Sequence, residues 1–119
     1  MQRDAAAYLY DIVQAAERIH RFIGKRTFEN YSADELVRSG VERQFGIIGE
    51  ALNHLGQHHK TLLTEIREHP KIIGFRNILI HGYAEIDDAV VWSILVEKLP
   101  LLLEDVKGLL ARLDRPTKI

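Results

Sequence analysis

Arg76, His81 and Tyr83 fall in one short stretch, Arg-Asn-Ile-Leu-Ile-His-Gly-Tyr at 76–83, and the residues among them are mostly bulky aliphatics. An arginine and a histidine held against an apolar wall can carry out phosphate chemistry without a metal. Histidine moves a proton near neutral pH, and arginine grips a phosphate through two parallel N–H bonds. At about 100° per residue, Asn77 and His81 stack on one helix face, whereas Arg76 and His81 lie about 140° apart around the axis. The arginine would have to curl round the helix, or a two-fold axis would have to bring two Arg–His sets into one cleft, one histidine acting as base and the other as acid. Gly82 breaks the helix and lets Tyr83 leave its path. The spacing alone also suits a structural role, with His81 bonding a free carbonyl and Arg76 forming a salt bridge.

The segments that must position these residues read as helices. Tyr8, Ile12, Ala15, Ile19 and Ile23 recur at steps of three and four, which predicts a first helix over 3–23, ended at Gly24. Ser32-Ala-Asp-Glu35 has the form of a capping box, with Ser32 as the cap. The next helix runs to about residue 58 and turns Val37, Val41, Ile48, Ala51, Leu52 and Leu55 inward. It also holds Gly40, Gly46 and Gly49, each costing roughly 1 kcal/mol against alanine, so a close approach by another helix is expected. A short helix is expected from Thr61 to about Glu68. Pro70 suits the first turn of the helix carrying Arg76, which ends at Gly82. Asp87 caps the last helix, which runs to about Leu113 and which Pro100 must kink or split.

These segments predict an all-α fold, an antiparallel bundle of four main helices plus a short one, with residues 1–119 forming one domain. Ile72, Ile73, Phe75, Ile78, Leu79 and Ile80 cover nearly every side of their helix. A bundle this small cannot bury all of those sides, so the motif helix is expected to pack against a second copy, most simply in a homodimer.

Composition narrows the function classes. No cysteine is present, which excludes thiol catalysis, disulfides and Cys-based zinc sites. No apolar run approaches the ~20 residues that cross a bilayer. The N-terminal segment lacks a signal-peptide core, and the cytoplasm is the expected location. The net charge of −1 gives no electrostatic hint of a nucleic-acid partner. Bases outnumber acids between residues 18 and 43 (Arg18, Arg21, Lys25, Arg26, Arg38, Arg43), and acids dominate from 84 to 105. A polyanion would therefore meet the first half and the Arg76 region, although solvated helix faces explain the same pattern.

Two other constellations are weaker. Glu50, His54 and His58 recur every four residues, with His59 beside them, but a metal would need a ligand from another helix. They read as polar residues near a helix end. Glu17-Arg-Ile-His20 matches half of a di-iron signature, which requires two such motifs. No Gly-rich phosphate loop or Ser-His-Asp set is present, and no cofactor is expected.

Arg76-Asn-Ile-Leu-Ile-His81-Gly-Tyr83 resembles the Arg-x4-His-x-Tyr motif of HEPN-domain proteins, specifically the HepT toxin family. The run from Val41 to Leu52, centred on Ile47-Ile48-Gly49-Glu50-Ala51, is similar to that family's second helix. Ile86-Asp87 and Leu99-Pro100 agree as well, and the resemblance spans nearly the whole chain. It implies a helical bundle that dimerises with the motif in a cleft between subunits. It implies a metal-independent endoribonuclease, the toxin of a type VII-like toxin–antitoxin pair, with RNA as substrate. Arg76 and His81 would then be catalytic, with Asn77 in support. A small nucleotidyltransferase antitoxin would transfer AMP from ATP to Tyr83 and silence the nuclease. His81 would transfer protons while Arg76 stabilises charge on phosphorus, leaving a 2′,3′-cyclic phosphate. The rival is a non-catalytic nucleotide- or partner-binding module of the same fold working with a nucleotidyltransferase, and a plain dimeric scaffold is a third class. The number of AMP groups, any assembly larger than a dimer, and the RNA that is cut are not encoded in these motifs.

Overall fold

Tyr8, Ile12, Ala15, Ile19 and Ile23 are all buried along α1 (Ala5–Ile23), the stripe their spacing predicts. The computed structural model describes residues 4–82 and 86–114, and among them there are helices and no strand. Asp4 caps α1 by accepting from the Ala7 N–H at 2.9 Å, and Gly24 ends it with a left-handed φ of 53° that glycine adopts without strain.

The loop expected between the first two long helices contains a helix of its own, α2 (Phe28–Ala33). Thr27 and Asn30 cap it reciprocally, and Tyr31 is fully buried. This overturns the capping role expected of Ser32. Ser32 lies inside α2 and donates to Asp88 at 3.1 Å, while Asp34 caps α3 (Glu35–His58) through the Val37 N–H at 3.1 Å. Aromatic packing explains α2: the rings of Phe28 and Tyr31 lie 6.0 and 5.6 Å from Trp92, so the turn is held by a residue distant in sequence.

α3 buries Val41, Ile48, Ala51, Leu52 and Leu55 and leaves Val37 partly covered. The helix expected from Thr61 to Glu68 is shorter, spanning α4 (Lys60–Leu63). Thr64 stops it by bonding the Thr61 carbonyl at 2.6 Å, and Glu68 then takes a left-handed φ of 68°. The Arg67 backbone N–H donates to Asp105 at 2.8 Å, which fastens this turn to the last helix.

α5 (His69–His81) starts with Pro70 in its first turn and ends at Gly82, as the sequence predicts. Asp87 caps α6 (Asp88–Ser93), and a π-helical turn at Ile94–Lys98 joins it to α7 (Leu99–Asp114). The break expected at Pro100 takes this form: the Leu99 N–H bonds the Ile94 carbonyl, five residues back. α1 packs against α3 and α7, with Leu99, Leu102, Val106 and Leu109 completing the core. α5 packs chiefly on α3. No helix among the described residues is long and apolar enough to cross a membrane.

Candidate functional site

Ile72 and Phe75 are the buried residues of α5, and the Phe75 ring meets Phe45 of α3 edge-on at 5.3 Å. That packing sets the next residue, Arg76, over α3 at Gly49. A Cβ on Gly49 would fall 2.3 Å from the Arg76 Cβ and 2.6 Å from its Cγ. The arginine stem therefore rests where any other side chain would stand, and the expected close approach by another helix is met here. At Gly40 a Cβ would be 3.2 Å from the Phe22 ring, while Gly46 has nothing within 4 Å and approaches no helix.

The Arg76 head group bonds neighbours on both helices. Nη2 donates to Glu50 Oε2 at 3.0 Å, and Nη1 donates to Asn77 Oδ1 at 3.3 Å. Nε is buried without a partner. A buried, unsatisfied donor costs about 1–3 kcal/mol, and Gly49 in mid-helix costs about 1 kcal/mol more. The Arg76 hydrogen bond holds the Glu50 carboxyl below the usual carboxylate range, and a weaker bond from His54 adds to this. His54 Nε2 lies 3.5 Å from Glu50 Oε1, and the His54 ring stacks on Tyr8 at 5.3 Å.

His81 is exposed at the end of α5 and shares a shallow concavity with Asn77, Ile78 and Gly82. The Gly82 N–H bonds the Ile78 carbonyl at 2.7 Å, with φ at −123°, so no left-handed residue is needed there. Glycine fits for another reason: a Cβ would sit 3.2 Å from that same carbonyl oxygen. No hydrogen bond joins Arg76 to His81 among the described residues. The arginine turns toward α3 and the histidine toward solvent, with Asn77 touching both neighbourhoods. Tyr83 lies outside the described residues.

A larger groove of about 790 Å³ runs beside the Arg76–Glu50 pair, lined by residues including Asp11, Glu42, Arg43, Glu50 and Ile80. Its carboxylates outnumber its one arginine. Two bases of the stretch expected to favour a polyanion are tied into the fold. Arg26 lies 3.9 Å from Asp34, and Arg38 lies 3.9 Å from Asp88 and bonds the Ser32 carbonyl. Glu50, His54 and His58 are joined by an ion pair and ring stacking, and no group of three metal-ligating side chains occurs among the described residues. Glu50 was read from the sequence as a polar residue near a helix end, weighed against a metal ligand, and as part of the run resembling the family's second helix, without a role in the site. Gly49 signalled a close approach by another helix, but nothing in the sequence named Arg76 as the residue that comes there or as the partner of Glu50.

A family model described as Ribonuclease HepT-like matches residues 12–109, which include Gly49, Glu50 and the whole of α5. The chain belongs to the HepT-like family of the HEPN superfamily. Among curated relatives of this HepT-like chain, a "Probable ribonuclease HepT" of Thermococcus cleftensis is 36% identical over 104 residues, covering 86% of this chain and 92% of the relative. A "Putative RNase" of Methanocaldococcus jannaschii is 30% identical over 106 residues, covering 89% and 96%. Another "Putative RNase", of Caldanaerobacter subterraneus, is 27% identical over 105 residues, covering 88% and 93%. No solved structure matches the HepT-like chain significantly.

Proposed function

We propose that this HepT-like chain is a metal-independent endoribonuclease, the toxin of a toxin–antitoxin pair, with Arg76 and His81 as its catalytic residues. The observation that carries the reading is the buried seating of Arg76 against Gly49 in a chain of a ribonuclease family. A guanidinium fixed to this degree is suited to one phosphate position, where preorganised charge does most for a transition state. His81 is exposed and so open to substrate.

In one subunit the two side chains do not meet, which favours a site shared by two. In a homodimer joined through α5, His81 of one subunit takes the proton from the ribose 2′-hydroxyl. That oxygen attacks phosphorus, and the partner subunit's His81 protonates the departing 5′-oxygen. Arg76 holds the phosphate as charge builds on it, and Asn77 supports the arginine. The products are a 2′,3′-cyclic phosphate and a free 5′-hydroxyl. Ile78, exposed on α5 beside Asn77 and His81, provides apolar surface for such a dimer. The partner protein is a minimal nucleotidyltransferase antitoxin that adds AMP to Tyr83, placing a phosphate and a base where substrate would lie.

The acid-rich groove and the engagement of Arg76 by Glu50 favour one rival, a module that binds a nucleotide or partner without cutting RNA. Expression of the chain alone beside His81→Ala separates the two. The nuclease reading expects growth arrest and RNA loss with the unaltered chain only, persistence of cleavage in EDTA, and no cleavage of DNA. Equal behaviour of both strains supports the binding module. Intact mass after incubation with the antitoxin and ATP should rise by whole AMP units, and Tyr83→Phe should abolish the rise.

A further inference from the structure

Glu50 has a side chain that is 56% exposed, against 20% for Arg76. An ion pair that open to water contributes little to folding, so stability does not account for it. Yet the surrounding structure is built to deliver Arg76 to this acid. Gly49 removes the one Cβ that would block the stem, and burial of Nε fixes which end of the guanidinium faces outward.

The contact itself is informative. Guanidinium has five N–H donors. Glu50 is reached through Nη2 and Asn77 through Nη1, while the Nε–H is turned into the protein. One hydrogen on each Nη remains to donate to a phosphate. A carboxylate placed to block the arginine would take both Nη groups at once. Glu50 takes one donor, on Nη2.

We propose that Glu50 is a positioning residue, holding one edge of Arg76 so that its two remaining Nη hydrogens meet the scissile phosphate of RNA. This rests on the nuclease reading above. The acid need not touch substrate, and its hydrogen-bonding shape matters more than its charge. His54, bonded to the other carboxylate oxygen and stacked on Tyr8, braces it from behind.

The test uses Glu50→Ala and the isosteric Glu50→Gln, each checked for unaltered helical content. In chain labelled with 15N-arginine, the Arg76 Nε–Hε signal should be distinct and slow to exchange. It should collapse into the averaged arginine envelope in Glu50→Ala and persist in Glu50→Gln. On an RNA oligonucleotide, Glu50→Ala should lower kcat by roughly 10- to 100-fold with KM changed less than about threefold, and Glu50→Gln should recover most of the loss. An unchanged Arg76 signal in Glu50→Ala overturns the proposal, and so does a rise in kcat, which would make Glu50 a competitor of the phosphate. A wild-type chain that leaves RNA intact overturns the nuclease reading instead. The Arg76 signal then still decides whether Glu50 holds the guanidinium.

Discussion

Gly46 and Gly49 are one helical turn apart on α3 and answer to different constraints. Gly49 is required by contact with the Arg76 stem, and Gly46 meets nothing. Gly49→Ala should therefore lower stability: overpacking typically costs about 1–3 kcal/mol, which outweighs the roughly 1 kcal/mol gained in helix propensity. It should also lower RNA cleavage by displacing Arg76. Gly46→Ala should raise stability by about 0.5–1 kcal/mol, because propensity acts unopposed. Thermal melts of the two variants check both signs, and a stabilised Gly49→Ala would contradict the close packing. From the sequence Gly40, Gly46 and Gly49 looked alike, since a glycine's cost is local and its cause lies on another helix. The motif residues were legible as chemistry because arginine and histidine are unusual among so many aliphatics. Their orientation was not, since the turn of Arg76 toward Glu50 depends on how α5 lies on α3.

The long helices α1 and α3 were legible because apolar residues at steps of three and four leave one arrangement for the chain, whereas α5, apolar on nearly every side, was legible from Pro70 at its start and Gly82 at its end. Short elements depend on distant partners. α2 has only six residues and is held by Tyr31 and by rings packed on Trp92, so no local period announced it. Missing it shifted the cap of α3 from Asp34 to Ser32, because Ser-x-x-Glu has the right form at the wrong position. The corrected assignment has a direct consequence. Asp34→Ala removes the side-chain acceptor of the Val37 N–H and should cost about 1 kcal/mol, in the 0.5–2 kcal/mol range of such caps. Ser32→Ala loses only its bond to Asp88 and should cost less. Urea titrations of the two variants decide the order, and a larger loss from Ser32→Ala would restore the serine as the cap. The break near Pro100 was legible because a residue with no N–H cannot continue the ladder. Its form, a π-helical turn that leaves Val96 exposed, follows from packing on both sides.

Across the whole molecule, α5 carries apolar residues on more faces than α3 can cover. Ile72 and Phe75 are buried, whereas Ile78 is 51% and Ile80 44% exposed. The all-round apolar pattern was visible in the sequence, but which residues one chain leaves open was not. In the proposed dimer Ile78, which shares the concavity of Asn77 and His81, faces the second copy, while Ile80 lies about 200° round the helix in the groove beside Glu50. An isologous interface counts each substitution twice. Glu at 78 would therefore bring two carboxylates into one contact, and an uncompensated buried charge typically costs about 3–5 kcal/mol. The Ile78→Glu chain should sediment as a monomer at concentrations where the unaltered chain is a dimer. Its helical circular dichroism should be unchanged, because this side chain does not belong to the core. It should also lose RNA cleavage although Arg76 and His81 are intact. An unaltered chain that sediments as a monomer and still cleaves RNA would place the whole reaction in one subunit, and His81 would then need its second proton-transfer partner from within the same chain.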